Sequence, residues 1–169
     1  LRRSTLLFLF FLLPPAILPQ ALWADPVFGD WWTEDRDAII RLSQDGDSVS
    51  GKIVWLAEPN HPESHERAGE PVIDEHNPEE EAQSRPVLGL EILWGFDHHS
   101  EGEWRDGSIY DPENGRSYRA RLRMDGEDEL RLRGYVGRPI FGRSSQWDRV
   151  DNDWPEDGEY YRNLEKDDT

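Results

Sequence analysis

The chain contains no cysteine and only two lysines, Lys52 and Lys166. Without cysteine it can form no disulfide and present no thiol nucleophile or thiolate metal ligand, so the fold must rest on its core alone. Recognisable catalytic spacing is missing too. There is no Gly-x-Ser-x-Gly elbow and no phosphate-cradling glycine loop, and nothing singles out a pair of carboxylates at glycosidase distance. We therefore assign no catalytic residue and expect a non-enzyme. Positive charge is scarce, with 19 Lys and Arg against 36 Asp and Glu giving a net charge of −17. Such a field repels nucleic acid and anionic membrane surfaces. An acidic, lysine-poor composition suits a salty environment, and compositional drift in an arginine-rich chain produces the same bias.

No apolar run is long enough to cross a bilayer. Leu6 to Leu13 comes nearest, but Pro14, Pro15 and Pro19 break the chain just beyond it. Arg2 and Arg3 before that run, and Ala21 to Ala24 after it, have the layout of a secretory signal. The expectation is a signal peptide over residues 1–24, a mature chain from Asp25 that is periplasmic or secreted, and no integral membrane segment after cleavage. Losing Arg2 and Arg3 takes the net charge to −19.

What is present is period-two patterning. Tyr118, Ala120, Leu122 and Met124 alternate with Ser117, Arg119, Arg121 and Arg123, and Leu130 and Leu132 alternate with Glu129, Arg131 and Arg133. These are strands with one dry and one wet face. Turn residues separate them, at Asp111 to Gly115 and Asp125 to Asp128. Upstream, Ala38 to Gln44 and Val49 to Leu56 form a hairpin around Asp45 to Ser48. Val87 to Phe96 resumes the sheet, with Leu90, Ile92, Trp94 and Phe96 on one face, and a polar turn, Asp97 to Gly102, carries His98 and His99. Glu103 to Tyr110 and Arg143 to Val150 complete it. With a short segment at Trp31 this predicts about eight strands, enough for a closed up-and-down antiparallel β-barrel; an open sandwich is the other possibility.

Two segments fall outside the pattern. Ala57 to Pro86 is predicted to be a mobile surface loop holding one short helix, Pro78 to Ser84, started by Asn77 as N-cap with Glu80 at the capping-box position. Residues 151–169 form an acidic, aromatic-containing tail expected to be mostly disordered. The organisation is thus a signal peptide, a barrel domain over 25–150 and a tail.

Gly29-x-Trp31 at the start and Trp147-x-Arg149 at the end resemble the lipocalin and calycin barrels, which pack a last-strand arginine across a first-strand tryptophan. That resemblance makes Gly29, Trp31, Trp147 and Arg149 structural closure residues. A more specific resemblance covers Pro26 to Val150. Gly51 to Leu56, Asp74-x-x-Asn77-Pro78, Arg85-Pro86-x-Leu88-Gly89, Tyr110-Asp111-Pro112-x-Asn114-Gly115-x-x-Tyr118, Arg133-Gly134-Tyr135-x-Gly137 and Gly142-Arg143 are similar, in order and spacing, to a secreted bacterial family known as domain of unknown function 2147. It implies a lipocalin-like barrel in the envelope and no settled activity.

His61 and His65 would share a face if their segment were helical, with Asp74 and His76 nearby in sequence. Pro62 opposes a helix, and the spacing matches no zinc motif, so we assign no metal and no cofactor. The hairpin register places Arg121 opposite Arg131 or Arg133, where like charges destabilise unless something acidic joins them. Arg119, Arg121, Arg123, Arg131 and Arg133 thus form a face for an anionic partner: the chain's own acidic loop or tail, or a glycan or lipid headgroup. The inward set Trp55, Ile92, Trp94, Phe96, Tyr118, Leu122, Met124 and Leu132, with Ile40, Leu42, Ile53, Leu130 and Val136, either lines a pocket for a small apolar or amphipathic ligand or fills the barrel. The first makes the protein a carrier or sensor. The second makes it an envelope interaction module with a solid core.

Overall fold

The computed structural model describes residues 25–151 and 154–155. Eight strands run in chain order: β1 Gly29–Trp32, β2 Ala38–Asp45, β3 Ser48–Leu56, β4 Glu91–Ser100, β5 Glu103–Asp111, β6 Arg116–Met124, β7 Glu129–Tyr135 and β8 Arg143–Arg149. Each pairs antiparallel with the next, and β1 closes on β8 through Trp31↔Arg149 and Trp32↔Asp148. The sheet is a closed barrel, not a sandwich, although the seam between β1 and β8 is short, two residue pairs against the longer ladders elsewhere. Among the described residues helix is confined to two three-residue 3-10 turns, Glu80–Ala82 and Pro139–Phe141, and no helix is long and apolar enough to cross a membrane.

One end of the barrel is tied shut. Arg149 lies over the Trp31 ring with its guanidinium carbon 4.2 Å from the centroid. Its nitrogens donate to the carbonyls of Pro26, Phe28 and Glu127 and to the carboxylate of Asp128. A Cβ at Gly29 would stand 3.1 Å from that guanidinium, so the glycine gives the arginine its seat. Trp147 is buried in the interior beside Leu130. The opposite end, the mouth, carries the 33–37 turn, the long segment 57–90, the 112–115 turn and the 136–142 turn.

The waist is packed solid. Trp31, Phe96, Leu93, Leu122 and Leu130 are 0% exposed, so none of them borders a water-sized void, and Trp104 is 2% exposed. Phe96 fills the space over Gly107, where a Cβ would come within 2.4 Å of its ring. Ile40, Leu42, Ile53, Ile92, Ala120, Leu132 and Trp147 belong to the same interior cluster, with Met124 packed against it.

Several expectations need correction. Trp94 does not face inward: Gly95, at φ 69, takes a conformation open to glycine, and the break in alternation turns Leu93 and Phe96 inward and Trp94 outward. Trp55 also lies outside. Ile39 pairs with Trp55 and Ile40 with Ile53, so Val54 is an extra residue that shifts the register. Trp55 instead meets Trp32 edge-on at 5.3 Å, in an exterior cluster of Trp32, Ile39 and Val54 against which Val150 and Trp154 pack. Val136 follows β7 and is 72% exposed. His98 and His99 belong to β4, which starts four residues later than expected because Val87 to Leu90 is spent in a turn held by Val87 N–H to Val72 O and Gly89 N–H to Ile53 O.

The long segment is ordered, not a mobile loop. Bridges join Asn60 to Pro71 and Ile73 to Pro86. The expected helix shrinks to Glu80–Ala82 because the Arg85 carbonyl accepts from Asp74 N–H, which draws the chain into extended form. The signal segment 1–24, and residues 152, 153 and 156–169 of the tail, lie outside the described residues.

Candidate functional site

The long segment folds back over the mouth and is pinned there by one carboxylate. Asp74 is 0% exposed. Its Oδ1 accepts from the Tyr110 hydroxyl at 2.6 Å and its Oδ2 from Asn77 Nδ2 at 2.6 Å. A buried carboxylate is tolerated only when its lone pairs are met, and here two donors meet them. Asn77 also accepts from Glu79 N–H at 2.9 Å, and Gln83 Nε2 donates to the Asn77 carbonyl at 2.9 Å, so one short turn is bound from three sides. Burial, then the hydrogen bond to Asp74, push the Tyr110 hydroxyl up to about 12. It stays protonated and donates. At Gly115, with φ 66, a Cβ would collide with the His76 carbonyl oxygen at 1.8 Å, so only glycine lets the 112–115 turn close on the long segment.

Between this anchored segment and the outer faces of β4, β5 and β6 lies a cleft of about 260 Å³. Trp94, Leu90, Ala82 and Pro78 give it an apolar side; Glu79, Arg85, Glu91 and Ser117 give it a polar one. Trp94 is 36% exposed, so part of its indole is free to take a ligand. An aromatic face beside separated cationic and anionic groups suits a small amphipathic molecule.

Of the residues assigned from sequence to an interior pocket, Ile92, Phe96, Leu122 and Leu132 are buried filling. Met124 and Tyr118 are half-buried, with Asn114 Nδ2 donating to the Tyr118 hydroxyl at 3.3 Å. Only Trp94 reaches the cleft, and it does so from outside. Asp74, Asn77, Arg85 and Tyr110 received no role from periodicity, because three of them sit in a segment without any. Their signal was the Asp74-x-x-Asn77-Pro78 and Tyr110-Asp111-Pro112 blocks, whose two halves meet across 36 residues.

The arginines lie as a ladder outside β6 and β7, with Arg121 opposite Arg133 and Arg123 opposite Arg131. Acids from neighbouring elements relieve them: Asp125 lies between Arg123, at 3.5 Å, and Arg131, and Asp106 holds Arg119 at 3.0 Å. The Arg105 hydrogen bond holds the Glu103 carboxyl below the usual carboxylate range, Arg121 adding a smaller pull. Arg133 instead donates to the Pro139 and Ile140 carbonyls and to the Ser144 hydroxyl. The rings of His61 and His65 stack at 4.1 Å, and among the described residues no three metal-ligating side chains converge.

Closed eight-stranded antiparallel topology, a tryptophan-arginine plug at one end and loops at the other define a lipocalin-like barrel. A solved structure supports that class: the protein HP1028 from Helicobacter pylori, described as belonging to the lipocalin family, superposes with a TM-score of 0.60 at 13% identity, over 74% of this chain and 78% of that one. Residues 29–149 match the model of the family described as an uncharacterized protein conserved in bacteria, DUF2147, and the chain belongs to that family. No curated protein matches the sequence.

Proposed function

We propose that the protein is a non-catalytic binding barrel, periplasmic or secreted, that takes a small amphipathic ligand in the cleft between the long segment and the barrel's outer wall and not in an apolar lumen. The observation that carries this reading is the exposed indole of Trp94 beside a rigid, polar wall. A site of about 260 Å³ lies just below the usual range for small-molecule pockets, so the ligand is small or only partly enclosed. The solid waist and the arginine ladder favour a second reading, an envelope interaction module.

Native mass spectrometry of the chain from Asp25, purified gently from periplasm, separates the two. The expected result is a small adduct that is lost on denaturation and absent from Trp94→Ala. A bare mass for the unsubstituted chain would sink the first reading and leave the second. Trp94 is 36% exposed, so the substitution also gives up the packing of the covered part of the indole and should cost about 1–3 kcal/mol, and a melting curve should confirm that the variant is folded before its mass is read.

A further inference from the structure

The turn joining β7 to β8 gathers most of the exposed apolar bulk. Among the described residues four large hydrophobic side chains are exposed, and three of them, Val136 at 72%, Ile140 at 76% and Phe141 at 80%, fall within six residues. Such clustering on an otherwise polar surface marks a contact site. The turn is not loose. Arg133 Nε donates to the Pro139 carbonyl at 2.7 Å, and its Nη1 to the Ser144 hydroxyl at 2.8 Å. Gly142 is pressed against β7 so closely that a Cβ would stand 2.4 Å from the Gly134 carbonyl oxygen. Backbone and arginine together hold Ile140 and Phe141 out into solvent.

Charge along the segment that carries the tip has one sign. From Leu130 to Trp147 the chain carries Arg131, Arg133, Arg138 and Arg143 and no acidic residue, although 36 acids occur in all. Arg138 and Arg143 are exposed and make no ion pair with a described residue. We propose that this turn is a docking tip that inserts Ile140 and Phe141 into the surface of a bilayer containing anionic phospholipid, with Arg138 and Arg143 on the headgroup phosphates. A protein partner fits less well: side chains this exposed on a three-residue turn project as a convex point, which needs a matching pocket in a protein and none in a lipid surface.

The net charge of −17 opposes the contact but does not forbid it. The acidic segment 57–86 joins β3 to β4, half-way round the barrel from the β7–β8 turn, while the flanking turns 33–37 and 112–115 bring Glu34, Asp35, Asp37 and Glu113 to the same end and weaken the contact. Repulsion beyond about 8 Å is largely screened at physiological ionic strength. Binding should therefore be weak, reversible and salt-sensitive.

Because the chain has no cysteine, Phe141→Cys supplies a unique site for a polarity-sensitive dye, with Ser43→Cys, on β2 away from the tip, as control. Vesicles of phosphatidylglycerol and phosphatidylcholine should shift the emission of the dye at 141 to the blue and leave that at 43 unchanged. Adding Arg138→Gln and Arg143→Gln should weaken apparent vesicle affinity about tenfold or more. Flotation of the unlabelled chain should show binding that Ile140→Ser with Phe141→Ser abolishes while the melting temperature holds. No shift at 141, equal shifts at both sites, or affinity indifferent to both arginines would overturn the proposal. So would a native dimer that Ile140→Ser with Phe141→Ser dissolves and that floats with no vesicle, because the tip would then be a self-interface.

Discussion

Asp74 and Tyr110 share one short hydrogen bond on which the mouth depends. Replacing Tyr110 with Phe keeps the ring and removes the donor, leaving Asp74 Oδ1 buried without its partner. The expected cost is about 1–3 kcal/mol in chemical denaturation. Asn77→Ala strands the other oxygen and should cost a similar amount, while the two changes together should not add, since both act through one carboxylate. Two glycines test different physics. Gly107→Ala drives a methyl into the Phe96 ring and should cost about 1–3 kcal/mol, largely recovered by Phe96→Leu in the same chain. Gly95→Ala meets nothing within 4 Å and costs only the strain of φ 69, about 1 kcal/mol, with no rescue from Phe96→Leu. Denaturation midpoints of the four variants decide whether steric filling or backbone strain governs each position. Arg149 does lie over the Trp31 ring, and that closure pair was legible through the resemblance to lipocalin barrels, which Gly29-x-Trp31 and Trp147-x-Arg149 carry. Trp55 and Trp94 were not, because one inserted residue at Val54 and one left-handed glycine reverse the parity on which an alternating pattern is read.

The long segment shows the same limit for an element. Its order comes from backbone bonds between residues ten or so apart, such as His61 N–H to Glu70 O and Asp74 N–H to Arg85 O, and from a side chain on β5. None of that leaves a period in composition, so proline and glutamate made the segment look like a mobile loop. The barrel strands were legible because each alternates against one dry interior. The anchor also gives the segment a pH dependence. The Tyr110 hydroxyl titrates near 12 in the fold and at about 10 in an unfolded chain. A raised pKa means that the stabilising contribution is complete below pH 10 and is lost as pH rises through 12. Ultraviolet titration should show a late tyrosine ionisation that Tyr110→Phe removes. At neutral pH the same substitution should speed tryptic cleavage after Arg67, which Ala68 follows. Cleavage at an unchanged rate would mean that the segment is held by its bridges alone.

At the scale of the molecule, charge is sorted by position. Residues 57–86 carry nine acids and two arginines, whereas β6, β7 and β8 with the turn before β8 carry eight arginines within stretches 116–124 and 130–147 that contain no acid until Asp148. Among the described residues, ion pairs such as Arg41 with Asp30 and Arg105 with Glu103 engage only some of the acids. The remainder repel one another in the folded state and are relieved by unfolding. Raising salt from about 0.01 M to about 1 M shortens the screening length from about 30 Å to about 3 Å. The melting temperature should therefore climb, by roughly 4 °C for each kcal/mol of repulsion removed. Surface pairs are weakened by the same salt, but each contributes only about 0–1 kcal/mol, so the net excess of acid over base should decide the sign. A scanning-calorimetry series that stayed flat would show repulsion and pairing in balance. A falling series would show that the few pairs outweigh the field, and would remove the physical reason to place this acidic chain in a salty compartment.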